Sequence, residues 1–110
     1  MREIIEDLIS INGVKGCYII DRDGSIVDYK GGENIDENLI SAMVAEISNE
    51  LANQMKIPDN FTISAMANSG RIFMIAKKDF ILALLTTTEV DTGEVRLKLR
   101  RCSKLIADSL

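Results

Sequence analysis

Residues 72–76 (Ile-Phe-Met-Ile-Ala) and 80–85 (Phe-Ile-Leu-Ala-Leu-Leu) are apolar at every position, and only Lys77-Lys78-Asp79 separates them. Successive side chains of a strand point to opposite faces, so a strand with water on one face alternates apolar and polar residues. These two runs do not alternate. They predict paired strands at the centre of a sheet covered on both sides. The short turn between them makes them antiparallel neighbours. Both runs are far shorter than the ~20 residues that a membrane-spanning helix needs, and no direct membrane insertion is expected.

The rest of the chain supplies the cover. Ile4, Ile5, Leu8, Ile9 and Ile11 recur at helical spacing and predict a short amphipathic helix over 2–11, stopped by Asn12-Gly13. Two β-prone runs, 17–20 and 25–29, flank Asp21-Arg22-Asp23-Gly24. Asp-Gly in that place predicts a hairpin, because Gly accepts the positive φ of the turn. Gly31-Gly32 ends the second strand. Asn34-Ile35-Asp36-Glu37 reads as a helix start, with Asn34 as the cap and Glu37 completing a capping box, and the helix should reach Met55 or Lys56, before Pro58. Residues 61–67 are strand-like and Asn68-Ser69-Gly70 turns the chain. Asp91-Thr92-Gly93-Glu94 offers a second capping box for a helix running to the C-terminus. The predicted order is αββαβββα, an α+β domain.

The sequence has 110 residues, enough for one domain with one core, taken as residues 1–110. Its net charge of −4 does not provide the field that draws a protein to nucleic acid, and no partner of that kind is expected. There is no His, which removes His-based triads and imidazole metal sites. The acidic cluster Asp21, Asp23 and Asp28 lacks the distal Glu of a calcium loop and reads as a hairpin turn. Cys17 and Cys102 fall in apolar patterns and are expected to be buried, reduced thiols. No nucleophile has a visible activator. No enzyme activity, cofactor or metal is expected. The N-terminal stretch 1–7 is acidic and amphipathic rather than a signal peptide, so the expected location is the cytoplasm.

The stretch 11–24, Ile-Asn-Gly-Val-Lys-Gly-Cys-Tyr-Ile-Ile-Asp-Arg-Asp-Gly, combines a helix end, a Gly-Val-x-Gly lead-in, an apolar strand and the Asp-Gly hairpin. In it the chain resembles the roadblock/dynein-light-chain (roadblock/LC7) family, which includes bacterial partners of Ras-like polarity GTPases. Thr92-Gly93-Glu94-Val95-Arg96 is similar to the family's Gly-x-x-Arg start of the last helix. The resemblance implies a five-stranded antiparallel sheet of order 2-1-5-4-3, with the middle helix on one face and the terminal helices on the other. It also implies a homodimer formed through the middle helices and third strands, acting as a scaffold or as a regulator of a small Ras-like GTPase or a larger complex.

Three surfaces bear on that implication. On the middle helix, Ile35, Leu39, Ile40, Met43, Val44, Ile47, Leu51 and Met55 spread over roughly 200°. The opposite side is small and uncharged. Ser41, Ala45, Ser48 and Ala52 on that side are the expected helix contribution to a dimer, because small residues let another helix approach closely. The alternative is that Ala and Ser are there only because helices tolerate them. Residues 61–67 carry no charge and no Pro, so as an edge strand they would lack the usual protection against pairing. Thr62, Ser64 and Met66 are the expected strand contribution. On the last helix Arg96, Leu97, Arg100 and Lys104 lie away from the apolar stripe of Val95, Leu99, Cys102, Ile106 and Leu110. They read either as a solvated face suited to the helix dipole or as a docking patch for an acidic partner centred on Leu97. The function from a different class is a small-molecule-sensing or ligand-binding domain, since sheets flanked by helices can hold pockets.

Overall fold

In the computed structural model, which describes residues 1–57 and 59–110, eight elements follow the predicted order. They are α1 (Arg2–Ile9), β1 (Val14–Asp21), β2 (Ile26–Lys30), α2 (Glu37–Met55), β3 (Phe61–Ala67), β4 (Gly70–Ala76), β5 (Phe80–Thr86) and α3 (Thr92–Ser109). The strands form one sheet of order β2-β1-β5-β4-β3 with every pair antiparallel. Pro58, named above as a stop signal for α2, lies outside the described residues.

The register explains the unbroken apolar runs. Ile19 pairs with Leu82, which pairs with Ile75, and all three face α1 and α3 with Phe73, Phe80 and Leu84. Their neighbours Tyr18, Ile20, Met74, Ile81 and Ala83 face the other way, towards α2. Adjacent residues on one strand therefore belong to two different cores, and each needs to be apolar. One helix covers one face and two cover the other, as expected.

Local chemistry sets the helix ends. Asp36 caps α2: its Oδ1 accepts from the Leu39 N–H at 3.1 Å. Asn34, the expected cap, stands two residues earlier at φ +61°. Only the residue directly before the first turn can reach an N–H of that turn, and Asp36 holds that place. Lys56 closes the helix in the left-handed conformation. Asp91 caps α3 through the Glu94 N–H at 3.1 Å, as predicted. α1 ends at Ile9, short of residue 11. At the following turn Gly13 has φ +99°, and a Cβ there would sit 2.9 Å from the Thr87 hydroxyl oxygen.

The face that α2 presents to the sheet differs from the expected one. Ser41, Val44, Ala45 and Ser48 are buried beneath the helix. Leu39, Met43, Ile47 and Met55, expected as part of its apolar stripe, are exposed. On this side the sheet offers Tyr18, Ile20, Met74 and Ile81 with the smaller Ala76 and Ala83, and α2 meets it with Val44 and Ala45, flanked by Ile35 and Ile40. Ser48 Oγ lies 3.5 Å from the Met74 sulfur. Gly24, at φ +96° in the β1–β2 turn, lies close enough to α2 that a Cβ would stand 3.6 Å from the Ala42 Cα.

Candidate protein-interaction surface

α2 is rotated from its expected seating: Val44 of the expected stripe is buried with the small residues, and Ile35 and Ile40 pack alongside it. Ser41, Ala45 and Ser48 are 2%, 4% and 0% exposed in the single chain, and their own sheet already takes them. Ala52 is half-buried and lines a recess with Arg22, Asn49, Asn53 and Lys56. These positions do not offer a face to a second helix. Leu39, Met43 and Ile47 do, at 56%, 44% and 42% exposure. They follow one another at i, i+4 and i+8, so they form one stripe.

That stripe has a direction. Asn49 sits on the flank of α2 nearest the β1–β2 turn: its Nδ2 donates to the Arg22 carbonyl at 2.8 Å, and its Oδ1 accepts from Arg22 Nε at 2.9 Å. Ile47 is about 200° around the helix from Asn49, on the flank away from the β1–β2 turn. β3 pairs with β4 alone and ends the sheet, so its outer N–H and C=O groups face outwards. Thr62, Ser64 and Met66 are all exposed, Met66 at 73%. Thr62, Ser64 and Met66 are thus exposed on an unpaired edge strand.

The basic residues of α3 separate into two groups. Lys98 Nζ and Arg101 Nη2 reach Asp7 of α1 at 3.3 and 3.7 Å. Arg96, Leu97, Arg100 and Lys104 are exposed. Arg96 and Arg100 border a groove of about 110 Å³ between α3 and the sheet, whose lining includes Thr62, Ser64, Phe73 and Leu99.

Two arginines flank hairpin turns, and both are tied down. Arg22 donates from Nη1 to the Lys77 carbonyl at 2.6 Å, besides its contacts with Asn49. Arg71 donates from Nη1 to the Thr92 hydroxyl at 3.1 Å.

The acidic hairpin is used internally. Asp23 Oδ1 accepts from the Ser25 N–H at 2.9 Å, which holds its carboxyl below the usual range. Asp28 pairs with Arg2 at 3.2 Å. Among the described residues no group of three or more Cys, Asp or Glu side chains could hold a metal ion. Both thiols are reduced and buried. Burial, helped by the nearby Cys102 and Asp28, pushes Cys17 up to about 12. No helix among the described residues is long and apolar enough to cross a membrane.

The Roadblock/LC7 domain model matches residues 2–86. An uncharacterised protein of Methanocaldococcus jannaschii is 22% identical over 106 residues, 94% of this chain and 90% of its own length. The crystal structure of a Roadblock/LC7 domain from Streptomyces avermitilis superposes with a TM-score of 0.84 at 12% identity, covering 99% of this chain and 96% of that one. Myxococcus xanthus MglB superposes with a TM-score of 0.80 at 19% identity, covering 98% and 94%.

Proposed function

The chain belongs to the Roadblock/LC7 domain family, and from that premise we propose that residues 1–110 form one non-enzymatic, homodimeric interaction module. It acts in the cytoplasm as a scaffold or as a regulator of a small Ras-like GTPase. One observation carries the proposal: β3 is an uncharged, unpaired edge of the sheet, and α2 leaves the apolar stripe Leu39, Met43 and Ile47 exposed. Pairing two β3 edges would satisfy their outward backbone groups. The same approach would bring two α2 stripes together and bury apolar surface worth roughly 25 cal/mol per Å². Ser41, Ala45 and Ser48 contribute indirectly, by seating α2 so that this stripe faces out.

A partner GTPase would then meet a composite surface built from both copies. It would not meet an inserted arginine, because Arg22 and Arg71 are held by Asn49, the Lys77 carbonyl and Thr92. Binding would select one arrangement of the partner's switch segments by differential affinity. The experiment is to mix the purified chain with a Ras-like GTPase encoded beside it and to follow both complex formation and GTP hydrolysis. The proposal expects a complex containing two copies of this chain. A GTPase that ignores the dimer in both nucleotide states would contradict the regulatory role.

The alternative of a small-molecule-sensing domain gains less support. The groove between α3 and β3, at about 110 Å³, falls below the ~300 Å³ at which ligand pockets begin, and the larger recesses, such as that of about 460 Å³ lined by Lys15, Ile35, Met66, Arg71 and Leu85, are open to solvent rather than enclosed.

A further inference from the structure

We propose that the groove between α3 and β3 is a docking notch for an acidic peptide segment of a partner protein, with one carboxylate seated between Arg96 and Arg100. The notch is lined by residues of one chain, and its Thr62 and Ser64 come from β3, the strand whose backbone edge is proposed above to pair.

The charge distribution is the first support. α3 carries five of the thirteen cationic residues of the chain and only two of the seventeen acidic ones. Lys98 and Arg101 are matched by Asp7. Among the described residues, the side chains of Arg96, Arg100 and Lys104 make no ion pair or hydrogen bond. Arg96 and Arg100 stand at i and i+4, a spacing at which like charges repel. A carboxylate between them would turn that repulsion into two charge-assisted hydrogen bonds, and the planar guanidinium suits a carboxylate in the bidentate form.

The local shape is the second. Both arginines border the same groove, which also carries the hydroxyls of Thr62 and Ser64 and the apolar side chains of Phe73 and Leu99. The hydroxyls can donate to the same carboxylate. The apolar floor lowers the local dielectric, which strengthens each of those bonds. Beside the notch, Leu97 is 64% exposed on the same side of α3 as Arg100 and Lys104. A segment alternating acidic and apolar residues would meet both features. A nucleic acid strand would have to lie against a chain whose net charge is −4 and would face repulsion beyond the notch.

The test is an NMR titration of the full chain with a ten-residue peptide alternating Glu and Leu, and with its counterpart carrying Gln for Glu. The proposal expects saturable amide shifts at Thr62, Ser64, Arg96 and Arg100 with the Glu peptide, weakening as salt is raised. It expects roughly tenfold weaker binding or worse in the Arg96→Gln/Arg100→Gln variant, with unchanged circular dichroism. If that variant fails to fold, Lys104→Gln, at the rim, should weaken binding by a smaller factor. Equal binding of the Gln peptide, shifts centred elsewhere, or no binding at millimolar peptide would overturn the proposal. So would tighter binding of anionic phospholipid vesicles or duplex DNA that is abolished by the same double variant.

Discussion

Cys17 lies between the sheet and the α1/α3 layer, fully buried. Its thiol is pushed from an ordinary 9.0 up to about 12, mainly by burial. The folded state keeps the proton that the unfolded state loses first. Below about pH 9 the group does not distinguish the two states; as pH rises from 9 towards 12, stability falls because only the unfolded chain ionises freely. Chemical denaturation across that range should show a shallower alkaline loss for Cys17→Ala than for the parent protein. Arg22 is a structural residue on the same reasoning. Its side chain joins the β1–β2 turn to α2 and to the β4–β5 turn. Arg22→Ala should therefore cost about 1–3 kcal/mol of stability, measured by urea unfolding. If the chain stimulates a GTPase, Arg22→Ala and Arg71→Ala should each leave stimulation within about tenfold, whereas an inserted arginine is worth 10³ or more. A thousandfold loss with intact binding would show that one of them reaches the nucleotide.

Among the elements, α2 separates what the sequence determines locally from what it leaves to packing. The start and stop of the helix were legible to within a few residues, because capping carboxylates and left-handed ends act over one turn. The cap is less legible, since Asn34 and Asp36 are both good caps and only the local path of the chain chooses Asp36. The buried face was not legible. With apolar residues over about 200° of arc, hydrophobicity alone favours the Leu39–Met43–Ile47 side. The deciding partners, Tyr18 and Met74, come from strands distant in the chain. Ala45 is buried in the same cluster. Ala45→Leu should therefore destabilise the single chain by about 1–3 kcal/mol through overpacking, read as a lower urea midpoint. Met43→Lys should leave that midpoint of the monomer near its parent value. The reverse pattern would mean that α2 seats on its other face.

At the scale of the whole molecule, the two-sided core was legible because strands 72–76 and 80–85 have no polar alternation. The strand order came from family resemblance alone, since hairpin signals fix neighbours but say nothing of the β1–β5 pairing. That pairing brings the two halves of the chain together and leaves β3 at one end of the sheet. The surface proposed for self-association combines this edge strand with the outward stripe of α2.

The most direct measurement is sedimentation equilibrium of the parent protein and of Met43→Lys/Ile47→Lys, each checked by circular dichroism. The account predicts twice the chain mass for the parent at micromolar concentration and the single-chain mass for the folded double variant. A parent protein that remains monomeric, or a double variant that sediments unchanged as a dimer, would contradict it.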